Sequence, residues 1–140
     1  MIKAVIFDMD GTLVDTERLG IKAWKAGAAE LGVAIDDALI HQFIGRTLPD
    51  VMDILDKHYG SRETAEAIYV RHKEIRDEIV KTELELKAGA AECLDELLAA
   101  DYHVGLATSS RHVTAERNLK MVGLFDKFET VSCSEDVVHG

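Results

Sequence analysis

Apolar residues along this chain fall into two kinds of pattern, and the switch between them predicts its architecture. Ala4-Val5-Ile6-Phe7 is an unbroken apolar run rich in β-branched and aromatic residues, closed by Asp8-Met9-Asp10-Gly11. Without alternation, and with a glycine stop, it reads as a strand buried on both faces. His103-Val104-Gly105-Leu106-Ala107 reads the same way, closed by Thr108-Ser109-Ser110, and a third strand is expected from Phe128 to Val131. Between these runs the spacing is helical. Leu94, Leu97 and Leu98 predict a helix from Ala90 to Ala100, and Ala115, Leu119 and Val122 another from His112 to Val122, closed by Gly123. Strand, helix, strand, helix, strand is the alternation of a right-handed parallel α/β sheet.

The stretch from Thr16 to Glu83 reads as helices only. Trp24, Ala28 and Leu31 share a face that Gly32 ends, and Leu39, Ile40, Phe43 and Ile44 make a short second helix. Val51, Ile54, Leu55 and Tyr59 make a third, with Pro49 in its first turn, where a missing N–H costs nothing. Ala65, Ile68, His72, Ile75 and Ile79 predict a long amphipathic helix capped by Ser61. An all-helical insert, 16–83, therefore interrupts an α/β core made of 1–15 and 84–140, with hinges near Asp15-Thr16 and between Glu85 and Gly89.

Composition adds limits. Leu, Ile, Val and Phe supply 40 of the 140 residues, enough for a folded core. Sixteen basic residues against 26 acidic ones give a net charge of -10. This argues against a nucleic-acid partner and against docking on anionic lipid, while leaving small phosphorylated substrates open. Cys93 and Cys133 stand 40 apart without a CxxC, the pattern of two reduced thiols, and no signal peptide or membrane-spanning run is present; a cytoplasmic protein is expected. The six histidines show no metal-ligand spacing.

The chemistry concentrates at two strand ends. In Asp8-Met9-Asp10-Gly11-Thr12, residues i and i+2 project to one side, so Asp8 and Asp10 converge at the carboxyl end of a parallel strand, where α/β sheets hold ligands. Two close carboxylates ask for a hard divalent cation such as Mg²⁺, and Gly11 allows a sharp turn or close approach. One aspartate can act as nucleophile and a second can shuttle a proton. Thr108-Ser109-Ser110 joins the second core strand to a helix, offering hydroxyls and free N–H groups to a phosphate; Ser109 or Ser110 also suits a helix cap.

Phe7 to Thr16 (Phe-Asp-Met-Asp-Gly-Thr-Leu-Val-Asp-Thr) resembles the first signature of the haloacid dehalogenase-like phosphatases, and Ala107-Thr108-Ser109-Ser110 resembles their second. The helical insert is similar to the cap of the group that includes beta-phosphoglucomutase and phosphoglycolate phosphatase. The resemblance implies a Rossmann-like core, Mg²⁺ and phosphoryl transfer through Asp8. It implies Asp10 as general acid/base that also offers its carbonyl to the metal, and Thr108 holding the transferring group. Gly11, Thr12, Ser109 and Ser110 would then bind phosphate, and Arg46, in the cap loop Gly45-Arg46-Thr47, would meet a substrate anion. The expected partner is a small phosphomonoester such as a sugar phosphate or phosphoglycolate.

Two departures from the family pattern shape the expectation. Glu135-Asp136-Val137-Val138-His139-Gly140 resembles the lead-in to the family's third signature, a Lys, which this sequence does not contain; Lys120 and Lys127 precede the third strand rather than follow it. The acidic pair of the fourth signature is also missing. The sequence therefore reads as the N-terminal portion of a longer enzyme, a weak catalyst alone, with its first strand left as an exposed edge. Gly20 stands where beta-phosphoglucomutase-type members carry a His, which favours a hydrolase over a mutase. A different class, a non-catalytic module whose sheet another polypeptide completes, is the remaining reading. Trp24 is open between cap core and substrate platform.

Overall fold

The computed structural model describes residues 2–137. Val138, His139 and Gly140, the end of the segment resembling that lead-in, lie outside the described residues. The chain divides into two compact units, Met1–Glu17 with Glu83–Gly140, and Arg18–Thr82.

The first unit contains a three-stranded parallel sheet, β1 (Ala4–Phe7), β2 (His103–Ala107) and β3 (Thr130–Ser132), in the order β1-β2-β3. It is a truncated Rossmann-like arrangement. Within this unit, α5 (Ala90–Ala99) directly precedes β2 and α6 (His112–Met121) directly follows it. Phe7 pairs with Leu106, and Leu106 with Val131, so these three form a row on one face, over which Leu94, Ala115, Leu119 and Leu124 complete a buried cluster. Val104 and Leu106 are each 1 % exposed there.

The other face corrects the expectation that the first strand is buried on both sides. Ile6, Gly105 and Thr130 are aligned across it, and Ile6 is 71 % exposed. β1 is an edge strand among the described residues, and parallel strands normally have both faces covered. Gly105 is fixed by its neighbours, because a Cβ there would lie 3.1 Å from Thr130 Cγ2. The third strand begins at Thr130 rather than Phe128. Phe128 and Glu129 instead lead into it from the 3-10 turn Phe125–Lys127, whose own start is set by Leu124.

The second unit holds most of α1 (Thr16–Glu30), then α2 (Asp37–His41), α3 (Leu48–Tyr59) and nearly all of α4 (Arg62–Glu83). Local chemistry sets the starts. Asp36 caps α2 by accepting from Leu39 N–H at 2.8 Å. Thr47 and Asp50 form a capping box around Pro49 at the start of α3, and Ser61 Oγ accepts from Thr64 N–H at 3.1 Å before α4. The unit's core gathers Trp24, Ala28, Leu39, Ile40, Phe43, Leu55, Ala65 and Ile68. Trp24 is 8 % exposed and its indole stacks on His72 with centroids 3.8 Å apart and planes within 5°. That answers the open question for Trp24: it is core.

Gly27 is what lets α1 and α4 pack. A Cβ at Gly27 would sit 2.9 Å from the backbone nitrogen of His72, with no flexible side chain to yield. Helix propensity alone favours alanine by about 1 kcal/mol. Overpacking against backbone typically costs about 1–3 kcal/mol and outweighs that gain. Gly27→Ala is therefore expected to lower stability, read as an earlier urea midpoint followed by the fluorescence of Trp24, the chain's single tryptophan. An unchanged or later midpoint would show that the helices separate at no cost.

Candidate active site

The loop after β1 is built from alternation and one left-handed turn. Met9 is fully buried, while Asp8 is exposed and Asp10 half-buried, so the apolar side chain anchors the loop and its two acidic neighbours turn outward. Leu13 and Val14 N–H groups both donate to Met9 O, and Gly11 N–H donates to Val14 O at 2.9 Å. Gly11 adopts φ +76°, a left-handed conformation that disfavours a side chain. Its N–H is thus spent inside the turn, and the glycine serves backbone shape. Thr12 is exposed. Leu13 and Asp15 then tie to the segment before α5: Lys87 N–H donates to Leu13 O and Asp15 N–H to Glu85 O, each at 2.9 Å.

The loop after β2 reaches the same place. Thr108 is 9 % exposed; its N–H donates to Ser132 O at 2.9 Å, and its Oγ1 accepts from Ser110 N–H at 3.1 Å. Ser110 Oγ donates to Asp10 Oδ2 at 2.8 Å, joining the two strand-end loops across 100 residues of sequence. Ser109 is exposed. The carboxyl ends of β2 and β3 open into a cleft of about 430 Å³ whose lining includes Thr108, Ser109 and Ser134. Asp8, Asp10, Thr108 and Ser110 thus all stand at the carboxyl edge of one sheet, and Asp10 and Ser110 are in direct contact. Arg46 belongs to the other unit, where it is exposed beside a surface cleft that Asp50 and Asp53 also line.

Neither serine caps α6. The N-cap residue is Arg111, without a side-chain cap, and the first helical N–H, that of His112, donates to a Glu135 carboxylate oxygen at 2.7 Å. Glu135 also accepts from Arg111 at 3.2 Å. This frees Ser110 for Asp10. The bond from the His112 N–H, followed by the Arg111 contact, holds the Glu135 carboxyl below the usual carboxylate range.

Asp10 Oδ1 is buried and accepts no hydrogen bond among the described residues. A buried carboxylate oxygen without a donor costs about 1–3 kcal/mol, so such an atom calls for a cation, a proton or a ligand donor. A pair of aspartates on one loop, one of them with an orphaned oxygen, is a donor set suited to a hard divalent ion. Lys120 and Lys127, the two lysines nearest to the third strand in sequence, are engaged elsewhere. Lys120 contacts Glu116 at 2.5 Å and Lys127 pairs with Asp95.

The sequence pattern of histidines and cysteines suggested no grouping of ligands, yet His112, Cys133 and Asp136 come together. They are separated by 21 and 3 residues, and only the parallel crossing from β2 through α6 to β3 makes them neighbours. Both cysteines are free thiols, Cys93 exposed and Cys133 buried. No described helix is long and apolar enough to cross a membrane.

Comparison with known proteins agrees with this geometry. Residues 5–140 match the family model described as haloacid dehalogenase-like hydrolase. Pyrophosphatase PpaX of Bacillus velezensis is 30 % identical over 141 residues, covering 99 % of this chain and 62 % of that protein. Beta-phosphoglucomutase of Bacillus subtilis is 26 % identical over 137 residues, covering 93 % of this chain and 60 % of its own length. The crystal structure of a "putative beta-phosphoglucomutase" from Thermotoga maritima superposes with a TM-score of 0.81 at 27 % identity, covering 99 % of this chain and 64 % of that one. The chain belongs to the haloacid dehalogenase-like hydrolase family, with the Rossmann-like sheet and helical cap of that fold. It spans about 60 % of the length of the curated relatives it matches.

Proposed function

We propose that the protein carrying this chain is a Mg²⁺-dependent phosphohydrolase of small phosphomonoesters, working through an aspartyl phosphate on Asp8. The observation that carries this reading is the Asp10–Ser110 contact beside Thr108, with Asp10 Oδ1 left without a donor. Relatives named as a pyrophosphatase and as a phosphoglucomutase support phosphoryl chemistry at the family level.

Asp8, exposed at the strand end, attacks phosphorus in line and the ester oxygen leaves. Asp10 delivers a proton to that oxygen and afterwards takes one from the water that hydrolyses the acyl phosphate, restoring both carboxyl groups. Ser110 orients Asp10 by its 2.8 Å bond, and the Thr108 hydroxyl is available to the phosphoryl oxygens. Asp8 and the backbone carbonyl of Asp10 would hold Mg²⁺, which when bound offsets phosphoryl charge. Arg46 is assigned to the anionic part of the substrate beyond the phosphate, and the helical cap to excluding water.

Gly20 in place of the mutase-type histidine favours transfer to water over transfer to a second sugar hydroxyl. The test is a Mg²⁺-dependent screen of sugar phosphates and phosphoglycolate on the intact protein, reading free phosphate and isomerised sugar separately. Phosphate release supports the proposal; isomer without phosphate transfers it to a mutase; neither product overturns it. The isolated 140-residue chain, without the third-signature lysine, should turn over about 10²–10³-fold more slowly. Ser110→Ala removes a charge-assisted hydrogen bond and is expected to lower kcat about tenfold to a hundredfold with KM little changed. A KM effect alone would move Ser110 from orienting Asp10 to binding substrate.

A further inference from the structure

His112, Cys133 and Asp136 lie outside the proposed catalytic set, at the meeting of two segments: the one that opens α6 and the one that follows β3. One ligating atom from each falls within 4.8 Å of the others. The imidazole Nε2 of His112 is 2.8 Å from Asp136 carboxylate oxygens, and Asp136 Oδ2 also accepts from Cys133 N–H at 2.8 Å. The carboxylate is thereby held over the cysteine by its own backbone. Cys133 is 1 % exposed, whereas the side chains of His112 and Asp136 are 50 % and 41 % exposed. The thiol is fixed and the other two can swing.

We infer that His112, Cys133 and Asp136, residues other than the Asp8–Asp10 pair, form a thiolate-liganded site for a borderline-soft divalent ion of the Zn²⁺ kind, with Cys133 lining the same cleft as Thr108 and Ser109. Bond lengths of about 2.0–2.3 Å place tetrahedral ligands roughly 3.3–3.8 Å apart. Closure therefore needs a shift of about 1 Å, within the reach of two exposed side chains. Three protein ligands leave a fourth position for water. Sulfur and imidazole select Zn²⁺ or Co²⁺ over Mg²⁺, so the two centres sort different ions by ligand type.

Binding must break the His112–Asp136 contact and displace the thiol proton to solvent, along with the ring proton whenever His112 is an imidazolium. The hydrogen bond and charge of Asp136 raise the His112 pKa, and burial raises that of Cys133. Both effects make metal compete with protons, so affinity must climb with pH. Occupancy would bolt residues 109–112 to 133–136, which are already stitched by the bonds of Glu135 to Arg111 and His112 and by Ser134 N–H to Ser110 O.

The experiment titrates the reduced 140-residue chain with Zn²⁺ by calorimetry and with Co²⁺ by absorbance, Mg²⁺ being present in excess. The expected result is one equivalent bound, a thiolate-to-Co²⁺ charge-transfer band, and proton release that varies with buffer. Cys133→Ser should abolish the band, and His112→Gln or Asp136→Asn should weaken Zn²⁺ at least about tenfold to a hundredfold. Cys93→Ser should change nothing. His112 and Asp136 are exposed, so those variants remain informative if Cys133→Ser fails to fold. No saturable binding, a band that survives Cys133→Ser or depends on Cys93, or affinity indifferent to His112→Gln and Asp136→Asn would each overturn the site.

Discussion

Asp8→Asn in the intact protein is expected to lower kcat for phosphate release by at least about 10³-fold without moving the unfolding midpoint. Asp8 is exposed, and its Oδ1 accepts a 2.7 Å bond from Met9 N–H, which an asparagine carbonyl can also accept. Shape and fold are retained; the nucleophile is lost. Asp10→Asn tests the partner. Proton transfer is worth about 10²–10⁴-fold and matters most when the leaving oxygen is strongly basic. With an alkyl phosphate, Asp10→Asn should be nearly inactive. With an aryl phosphate whose phenolate leaves unaided, it should give a burst of phenol followed by slow turnover, as phosphorylated Asp8 accumulates. Retention of more than a tenth of the activity by Asp8→Asn would remove the acyl-phosphate route. A full rate for Asp10→Asn on alkyl phosphates would assign the proton to another group.

The shape of the strand-end loop was legible because it depends on local periodicity. An apolar strand, a glycine and two aspartates at i and i+2 specify a loop whose outcome is visible in Met9 turned inward and Asp8 turned outward. The helix faces were legible for the same reason, down to Pro49 and the Ser61 cap. What the sequence hid is non-local. The apolar run around Ile6 looks like any core strand; only the family resemblance pointed to an open edge there, and Ile6 is exposed on β1, an edge strand among the described residues. Ser110 was ambiguous between cap and ligand until Glu135, 25 residues later, supplied the cap. The trio of His112, Cys133 and Asp136 has no spacing signature because a whole strand-helix-strand crossing creates it. Nor does the helical spacing that places His72 on the apolar face of α4 reveal its state there: His72 Nδ1 is buried and has no partner among the described residues.

That histidine makes the second unit sensitive to acid. His72 is 9 % exposed, stacked flat on Trp24 with Tyr69 at 6.2 Å, and burial followed by the charge of Arg76 lowers its pKa from 6.5 to about 4. The unfolded chain therefore binds a proton between those values that the folded core refuses. Stability contributed by the neutral ring is complete above pH 6.5 and is lost as pH falls toward 4, at about 1.4 kcal/mol per unit, or about 3 kcal/mol over the window. Urea unfolding followed by Trp24 fluorescence should show this slope superposed on that of the acidic side chains. His72→Phe keeps a planar ring against the indole and removes both the titration and the unpartnered nitrogen, whose burial costs about 1–3 kcal/mol. The variant should match or exceed the parent at pH 7 and lose much less stability from pH 6.5 to 4. An equal slope in parent and variant would mean that His72 takes up its proton inside the folded core, and that carboxylates alone govern the response to acid.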